Sequence, residues 1–353
     1  MTLSTGALRG RLLDWYDANA RALPWRVGPA DRARNVAPDP YRVWLSEVML
    51  QQTTVAHATA YFLDFTRRWP TVEALAAAPE AEVMAAWAGL GYYARARNLI
   101  ACARAVARDH GGKFPGAEAA LLGLPGVGPY TAAAVAAIAF DRPANVVDGN
   151  VERVMSRLYA VEAPLPDSKA ELKALAGALV TAERPGDWAQ ALMDLGATIC
   201  RPKSPLCDRC PLADACQARL TGAPDAYPRK VAKPERPRRH GAAYVLISQG
   251  HVALVRRPPR GLLGGMLGLP TTDWRATALA MSDAQAQAPA GEAWRNLGPI
   301  EHVFTHFALT LEVWRGETAT HDTSLEWLPL DEAARSLPSV FAKALRAGLV
   351  NLL

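Results

Sequence analysis

The stretch from Leu124 to Thr131 reads LPGVGPYT, and an alanine-rich run, TAAAVAAIAF, extends from there to Phe140. Two glycines around one valine suit a tight turn, and the run after them has the composition of a helix. Backbone N–H groups at the start of a helix attract anions. The stretch therefore indicates one of two things: a helix–hairpin–helix corner whose glycines serve only the turn, or a loop that holds a phosphate of a nucleic-acid backbone.

Composition sets the outer limits. A chain of 353 residues can hold two domains, and its formal net charge of +5 permits a polyanionic partner without requiring one. No uncharged apolar run approaches the ~18 residues of a membrane span, so we expect no membrane association. The N-terminus, MTLSTGALRGRLLDWY, lacks an apolar signal core, which favours a cytoplasmic protein.

The first 220 residues have helical patterns and no strand pattern. Asp39 is placed to cap a helix that begins with Pro40, and Pro79 divides a later stretch into two short helices. Another helix has an apolar face at helical spacing, formed by Val151, Val154, Met155 and Leu158. This half is predicted to be all-α.

The second half has a different pattern. A basic, proline-rich linker is predicted over residues 222–240, because this segment is poor in apolar residues. Beyond it lie short β-type runs, AAYVLIS, HVALVRR and HFALTLEVWRG, and a final helix, SVFAKALRAGLVNLL. We therefore predict a helical domain over 1–221 and a small α/β domain over 241–353.

Four of the five cysteines lie close together, at Cys200, Cys207, Cys210 and Cys216. In a reducing compartment clustered thiols indicate a metal site rather than disulfides, and a single compact all-cysteine loop favours an iron–sulfur cluster over zinc. The fifth, Cys102, lies in an apolar helical run and is interpreted as a core residue.

Two carboxylates could carry chemistry. Glu47 lies among apolar neighbours, which raise a carboxyl pKa, whereas Asp148 directly precedes a helix whose N–H groups favour the ionised form. One neutral acid and one anion is the pair that cleavage of a glycosidic bond requires. Each also has a simpler interpretation: Asp148 as a helix cap, and Glu47 as a solvated residue on the polar side of its helix.

The order of several motifs resembles MutY-type adenine DNA glycosylases, members of the helix–hairpin–helix superfamily that includes endonuclease III. The motifs are LPWR, SEVMLQQT, GLGYYARARNL, LPGVGPYT, VDGN, the four-cysteine loop and FTHF. The resemblance covers nearly the whole chain. It implies an all-α glycosylase domain with an iron–sulfur loop at 200–216, followed by a Nudix-like α/β domain.

The resemblance implies an enzyme that flips adenine out of duplex DNA opposite 8-oxoguanine or guanine and excises it. Glu47 matches the acid that protonates N7 of the base, and Asp148 matches the carboxylate that stabilises the sugar cation. Asn150 and Tyr130 match residues that order this site. The pocket around the base matches Trp25, Arg26 and Gln190, although some relatives carry an acid where Gln190 stands.

Tyr130 also predicts the outcome of the reaction. Endonuclease III-like relatives have a lysine there, whose amine attacks the sugar to form a Schiff base, and a phenol cannot do this. We expect a monofunctional glycosylase. The alternatives are a bifunctional glycosylase/lyase and a non-catalytic DNA-binding protein, which would have lost one of the two acids.

Other positions match DNA contacts of the family. These are Leu50, Gln51, Gln52, Tyr92, Gly126 and Gly128, with Gln52 and Tyr92 as wedges in the base stack. Arg201, Lys203 and Arg209 on the cysteine loop would attract DNA, or they belong to a solvated loop. The expected cofactor is a [4Fe–4S] cluster, and the expected partner is mispaired double-stranded DNA bound by a monomer.

The second domain resembles the start of a Nudix hydrolase, but RATALAMSDAQAQAPAG lacks the glutamates that would bind magnesium. Hydrolysis of nucleotide diphosphates is therefore not expected. Phe304, Thr305 and His306 match a loop that senses 8-oxoguanine, or they form one end of a strand with Phe304 packed inside. The segment VGPADRARNVAP, residues 27–38, is longer than its counterpart in the family, and the sequence predicts no role for it.

Overall fold

The computed structural model describes residues 4–231, 235–258, 261–290 and 292–350. The chain divides into two compact units: Met1–Val83 with Ala94–Ala232, and Met84–Tyr93 with Lys233–Leu353. The first unit carries the helical pattern of the sequence and the second carries the sheet.

Helices precede the first strand throughout the described ranges. They are α1 Thr5–Asn19, α2 Pro29–Ala33, α3 Pro40–Leu50, α4 Val55–Arg68, α5 Val72–Ala77, α6 Glu80–Ala86, α7 Ala94–Asp109, α8 Glu118–Leu122, α9 Pro129–Phe140, α10 Gly149–Leu158, α11 Lys169–Ala178, α12 Pro185–Asp194 and α13 Gln217–Leu220. A π-helical turn, Leu195–Ile199, continues α12. None of the described helices combines the length and the apolar character needed to cross a bilayer.

Local signals in the sequence set several of these boundaries. The Asp39 side chain accepts a 2.9 Å hydrogen bond from the Tyr41 N–H, and Pro40 is the first residue of α3, as predicted. Pro79 separates α5 from α6, which confirms the predicted break.

Helix α9 lies in the core of the first unit. Its residues 131–138 are all buried, and it packs against α3, α8 and α12. Small alanine side chains let these neighbours approach closely. Since α3 carries Glu47, α9 carries Tyr130 and α12 carries Gln190, the packing around α9 brings these residues to one place.

The second unit contains a six-stranded sheet in the order β3-β2-β1-β5-β4, with β6 paired to β2. The elements are β1 Arg238–Ser248, β2 His251–Arg256, β3 Leu267–Gly268, α14 Met281–Ala286, β4 Glu292–Val303, β5 Ala308–Glu317, β6 Glu326–Pro329, α15 Leu330–Ser336 and α16 Ser339–Leu349. Strands β1 and β5 run parallel, and the other pairs are antiparallel. The predicted runs are confirmed as β1, β2, β5 and α16, whereas β3, β4, β6, α14 and α15 were not predicted.

Part of the predicted 222–240 linker is packed against the helical unit. Tyr227 is buried, and its carbonyl accepts a 3.0 Å hydrogen bond from Nε of Arg157. The Leu165 N–H donates to the Arg229 carbonyl at 2.8 Å. Residues 232–234 lie outside the described ranges, and the domain boundaries at 221 and 241 stay a prediction.

Candidate active site

A cavity of about 470 Å³ opens in the helical unit, a volume typical of sites for small molecules. Its lining contains ten of the residues that the sequence singled out: Trp25, Arg26, Glu47, Leu50, Gln51, Gln52, Tyr130, Asp148, Asn150 and Gln190. These residues come from α3, α9, α10, α12 and the segments beside them, so distant parts of the chain converge on one pocket.

Glu47 is the buried acid of this cavity. It is 7 % exposed, on a helix whose residues from Val43 to Met49 are all buried. The pKa of Glu47 is raised to about 7, mainly by burial and to a smaller extent by the nearby Asp148, whereas the Tyr130 hydrogen bond and the Arg26 charge oppose this rise. The interpretation of Glu47 as a solvated residue is therefore wrong.

Tyr130 lies directly against this acid. Its hydroxyl donates a 2.8 Å hydrogen bond to Oε2 of Glu47. Burial raises the pKa of Tyr130 well above its ordinary value, and the charges of Glu47 and Asp148 add to the effect. Tyr130 is therefore neutral near pH 7 and acts as a hydrogen-bond donor to Glu47.

Asp148 caps α10 and faces the cavity at the same time. It accepts hydrogen bonds from the N–H groups of Asn150 and Val151, at 2.9 and 2.8 Å, and from Nδ2 of Asn150 at 2.7 Å. Three donors thus hold this carboxyl group in a fixed position beside the cavity. The capping interpretation is correct, and it is compatible with a chemical role because the capped carboxylate also lines the cavity.

Arg153 connects this carboxylate to the cysteine loop. Its guanidinium donates to Asn150 Oδ1 at 2.9 Å, to the Gly196 carbonyl at 2.7 Å and to the Cys200 carbonyl at 2.7 Å. Asn150 in turn donates to Asp148. A continuous series of hydrogen bonds thus joins the first cysteine of the loop to the anion in the cavity.

The residues that are predicted to surround the base form one wall of the cavity. Trp25 is buried and meets Phe62 edge-on, with ring centroids 5.2 Å apart. Arg26 donates to Asp194 Oδ2 at 2.7 Å, and Gln190 donates from Nε2 to the Gly186 carbonyl at 3.3 Å. The amide oxygen of Gln190 is the end that can receive a hydrogen bond from a ligand.

Two predicted DNA-contacting glycines lie at the start of α9. Gly126 has φ +70°, and an added Cβ would lie 2.5 Å from Cβ of Asn98, so the turn itself requires glycine there. Gly128 has φ −90° and nothing within 4 Å of an added Cβ. The fold does not require a glycine at Gly128.

The two predicted wedges share a backbone feature. Gln52 and Tyr92 have φ values of +57° and +48°, a left-handed conformation that non-glycine residues adopt at a cost. Tyr92 is 52 % exposed. Strained, exposed residues of this kind are concentrated at functional sites.

Within the second unit, the FTHF stretch forms the turn between β4 and β5. Phe304 stacks on Trp274 with centroids 5.7 Å apart, so the packed interpretation holds for this ring. Thr305 and His306 are exposed at the tip of the turn, and Thr305 Oγ1 lies 3.2 Å from the hydroxyl of Tyr92.

The four loop cysteines line one small cavity of about 20 Å³. Nη1 of Arg157 donates to Cys200 Sγ at 3.4 Å, and Arg157 is 1 % exposed. Within the described ranges no three cysteine, histidine or carboxylate side chains converge on the position of a single metal ion. Cys102 is buried in α7, as predicted.

Several polar residues of the site were not predicted. Arg21, Ser46 and Thr53 also line the cavity. Asp194 and Arg153 lie outside the lining and form hydrogen bonds with lining residues, Arg21 and Asn150. On the sequence, Asp187, Gln190 and Asp194 recur at helical spacing on one face of α12. That periodicity was the one available signal for Asp194.

Comparisons with known proteins find similar families for both parts of the chain. Residues 45–179 match the HhH-GPD superfamily base excision DNA repair protein, and residues 242–347 match the NUDIX domain. The chain is 37 % identical to the human adenine DNA glycosylase over an alignment of 390 positions. This alignment covers 92 % of this chain and 71 % of the human one. It is 42 % identical to the adenine DNA glycosylase of Mycobacterium tuberculosis over 226 residues, 62 % of this chain and 70 % of the relative.

A solved structure supports the fold of the helical unit. A thermostable thymine-DNA glycosylase matches with a TM-score of 0.54 and 31 % identity, over 62 % of this chain and 97 % of that one. The helical unit thus has the helix–hairpin–helix glycosylase fold, and a Nudix-like α/β domain follows it. The chain belongs to the adenine DNA glycosylases, DNA N-glycosylases of base excision repair.

Proposed function

We propose that this protein removes adenine mispaired with 8-oxoguanine or guanine in duplex DNA and leaves an intact strand with an abasic site. One observation carries the proposal: Glu47, with a pKa of about 7, and the hydrogen-bonded carboxylate of Asp148 line the same cavity. A neutral acid and an anion at one pocket suit cleavage of a base–sugar bond, in which the leaving base gains a proton and the sugar gains positive charge.

Glu47 supplies the proton. Tyr130 donates to Oε2, so the acidic proton of neutral Glu47 is on the other oxygen, and there it can pass to N7 of the flipped adenine. The base then leaves as a neutral molecule. Trp25 offers an aromatic wall for the base, and Arg26 and Gln190 offer a donor and an acceptor for its edge.

Asp148 acts on the sugar. Its three hydrogen-bond donors hold the carboxylate in place, and the carboxylate stabilises the positive charge that develops as the base departs. Water then adds to the sugar. Tyr130 supports a monofunctional reaction, because the phenol hydrogen-bonded to Glu47 cannot form the Schiff base that precedes strand cleavage.

The start of α9 is the proposed phosphate site. The first N–H groups of a helix lack intrahelical partners and carry partial positive charge. Since the fold does not require Gly128, its missing side chain supports close approach of a ligand. Leu50, Gln51, Gln52 and Tyr92 are proposed to contact the distorted duplex, and the exposed Thr305 and His306 are proposed to sense 8-oxoguanine beside Phe304.

We also propose a [4Fe–4S] cluster held by Cys200, Cys207, Cys210 and Cys216. Arg157 supports it, because this buried guanidinium otherwise faces the carbonyls of Arg201, Pro202 and Tyr227, and its nearest carboxylate oxygen, on Asp225, is 3.9 Å away. An anionic thiolate-bound cluster would neutralise that charge. When bound, the cluster would hold the loop together. With chromosomal DNA as the substrate, the proposed location in a bacterial cell is the cytoplasm.

The test uses duplex oligonucleotides with adenine opposite 8-oxoguanine, guanine, cytosine or thymine. We expect adenine release from the first two, and strand scission at the abasic site only after alkali. Release of a pyrimidine instead, or scission without alkali at the rate of base release, would contradict the proposal.

A further inference from the structure

Asp194 is a buried carboxylate that the proposed reaction does not use. It is fully buried at the end of α12, where the π-helical turn begins. Its Oδ1 accepts from Nε of Arg21 at 2.5 Å, and its Oδ2 accepts from the Arg21 N–H at 3.0 Å and from Nη1 of Arg26 at 2.7 Å. An unpaired carboxylate would be unstable in this buried position, so Asp194 depends on its ion pairs with the two arginines.

Both arginines line the cavity proposed for the flipped base. A guanidinium has five N–H donors, and Arg21 and Arg26 each use one of theirs on Asp194. Within the described part of the chain, the remaining guanidinium donors of these two residues make no other hydrogen bond or ion pair. They are available to a purine, whose ring nitrogens are acceptors.

We propose that Asp194 is a positioning residue of this site, which holds Arg21 and Arg26 in the orientation that the extruded adenine requires. It does not touch the base itself. The inference rests on the proposed function and extends it, because it names the group that holds Arg21 and Arg26, the two cationic side chains of the base pocket, in place.

The same helix provides a matched control. Asp187 lies seven residues earlier on the same face of α12 and is also buried. It pairs with Arg32 at 3.4 Å and with Arg184 at 2.8 Å, and these arginines line a different cavity, of about 590 Å³. Replacing Asp187 therefore removes an equivalent buried ion-pair partner without loosening the base pocket.

The first measurement is binding by the full-length, cofactor-loaded protein. One duplex carries 2′-fluoro-deoxyadenosine, which resists cleavage because fluorine destabilises the sugar cation, and a second carries a stable abasic analogue. For Asp194→Asn we expect affinity for the first duplex to fall at least tenfold and affinity for the second to change less than threefold. A purely structural role would weaken both duplexes equally, and so would overturn the proposal.

The second measurement is a double-mutant cycle on the single-turnover rate of adenine release. If Asp194 acts through the arginines, the two substitutions are not independent. The rate of the double variant Arg26→Met/Asp194→Asn is then reduced by a factor at least threefold smaller than the product of the factors for the two single variants. In the control double variant, Arg26→Met/Asp187→Asn, we expect the rate to be reduced by the full product of the two single-variant factors. Full multiplication for Asp194, or the same shortfall for Asp187, would overturn the proposal.

If Asp194→Asn does not fold, Asp194→Glu replaces it in the binding measurement. The charge is kept, but the longer side chain displaces the guanidiniums, so selective loss of the fluoro-adenine duplex is again expected. Equal loss for both duplexes, or no loss, contradicts the role. Absence of adenine release by the wild-type protein would overturn the proposed function itself, whereas release with independent losses would overturn only the role of Asp194.

Discussion

The hydroxyl of Tyr130 donates a 2.8 Å hydrogen bond to Oε2 of Glu47, a carboxyl of the cavity whose pKa is raised to about 7. Burial favours the neutral acid, and this hydrogen bond favours the anion. The balance keeps Glu47 close to half-protonated near pH 7, which is where a general acid works best.

Replacing Tyr130 by phenylalanine removes one of the two groups that oppose the raised pKa of Glu47. The pKa of Glu47 then rises further, so the pH at which base release declines should move upward, while the maximal rate falls several-fold because the acid is held less firmly. Single-turnover rates between pH 5 and 9 check this. Tyr159→Phe is the control, since Tyr159 lies at the end of α10 and does not line the cavity. A decline that moves to lower pH would contradict the role given to this bond.

Replacing Tyr130 by lysine tests the monofunctional mechanism. An amine at this position can attack the sugar and form a Schiff base, which borohydride reduces to a stable protein–DNA adduct. We expect adduct from Tyr130→Lys and none above background from the wild type or from Tyr130→Phe. Abundant trapping by the wild-type protein would show that another amine attacks the sugar.

The raised pKa of Glu47 also affects stability. Between the ordinary glutamate pKa and about 7, the folded state holds a proton that the unfolded state has lost, so stability falls as pH rises through this window and levels off above it. Glu47→Gln removes this loss. We expect the variant to be more stable than the wild type at pH 8, by roughly 3 kcal/mol at most, and to gain little at pH 4.

Urea unfolding at the two pH values measures that difference. Glu73→Gln, on α5 and outside the cavity lining, is the control: it keeps Glu47, so its stability should fall with pH in the same way as that of the wild type. An equal gain for Glu47→Gln at both pH values would mean that Glu47 is not the titrating group.

The two hairpin glycines should respond oppositely to alanine. Gly126→Ala strains a left-handed residue and collides with Asn98, so it should destabilise the fold by about 1–3 kcal/mol. Gly128→Ala should leave stability unchanged and weaken DNA binding, with a shallower dependence on salt because a phosphate contact is lost. Thermal melts and binding titrations at several salt concentrations separate the two effects. Unchanged DNA affinity in Gly128→Ala would argue against a phosphate at this turn.

Elements with local signals were predictable from the sequence. The cap at Asp39, the break at Pro79 and the short apolar runs that form strands β1 and β5 depend on neighbouring residues, and all are confirmed. Strand β4 was missed because Gly298 and Pro299 interrupt its pattern, and its register against β5 shifts twice. Short β3 and β6 have too few residues for any periodicity to be visible.

The lining of the candidate site was predictable where a chemical argument and a family motif point to the same residue. Glu47, Tyr130 and Asp148 stand in recognisable stretches, but whether Glu47 is buried depended on helices far away in the chain. Arg153 and Asp194 were missed for the same reason. A charged residue on a helix is usually solvated, and only the packing of α10 and α12 shows that these two form hydrogen bonds with residues that line the cavity.

The most direct test compares adenine release from an adenine–8-oxoguanine duplex by the wild type, Glu47→Gln and Asp148→Asn under single-turnover conditions, with binding to the fluoro-adenine duplex measured in parallel. We predict that each variant binds within about tenfold of the wild type and releases adenine at least a thousandfold more slowly, which corresponds to about 4 kcal/mol of transition-state stabilisation. Release by either variant at a rate near that of the wild type would contradict the assignment of this pair as the catalytic acid and the stabilising anion.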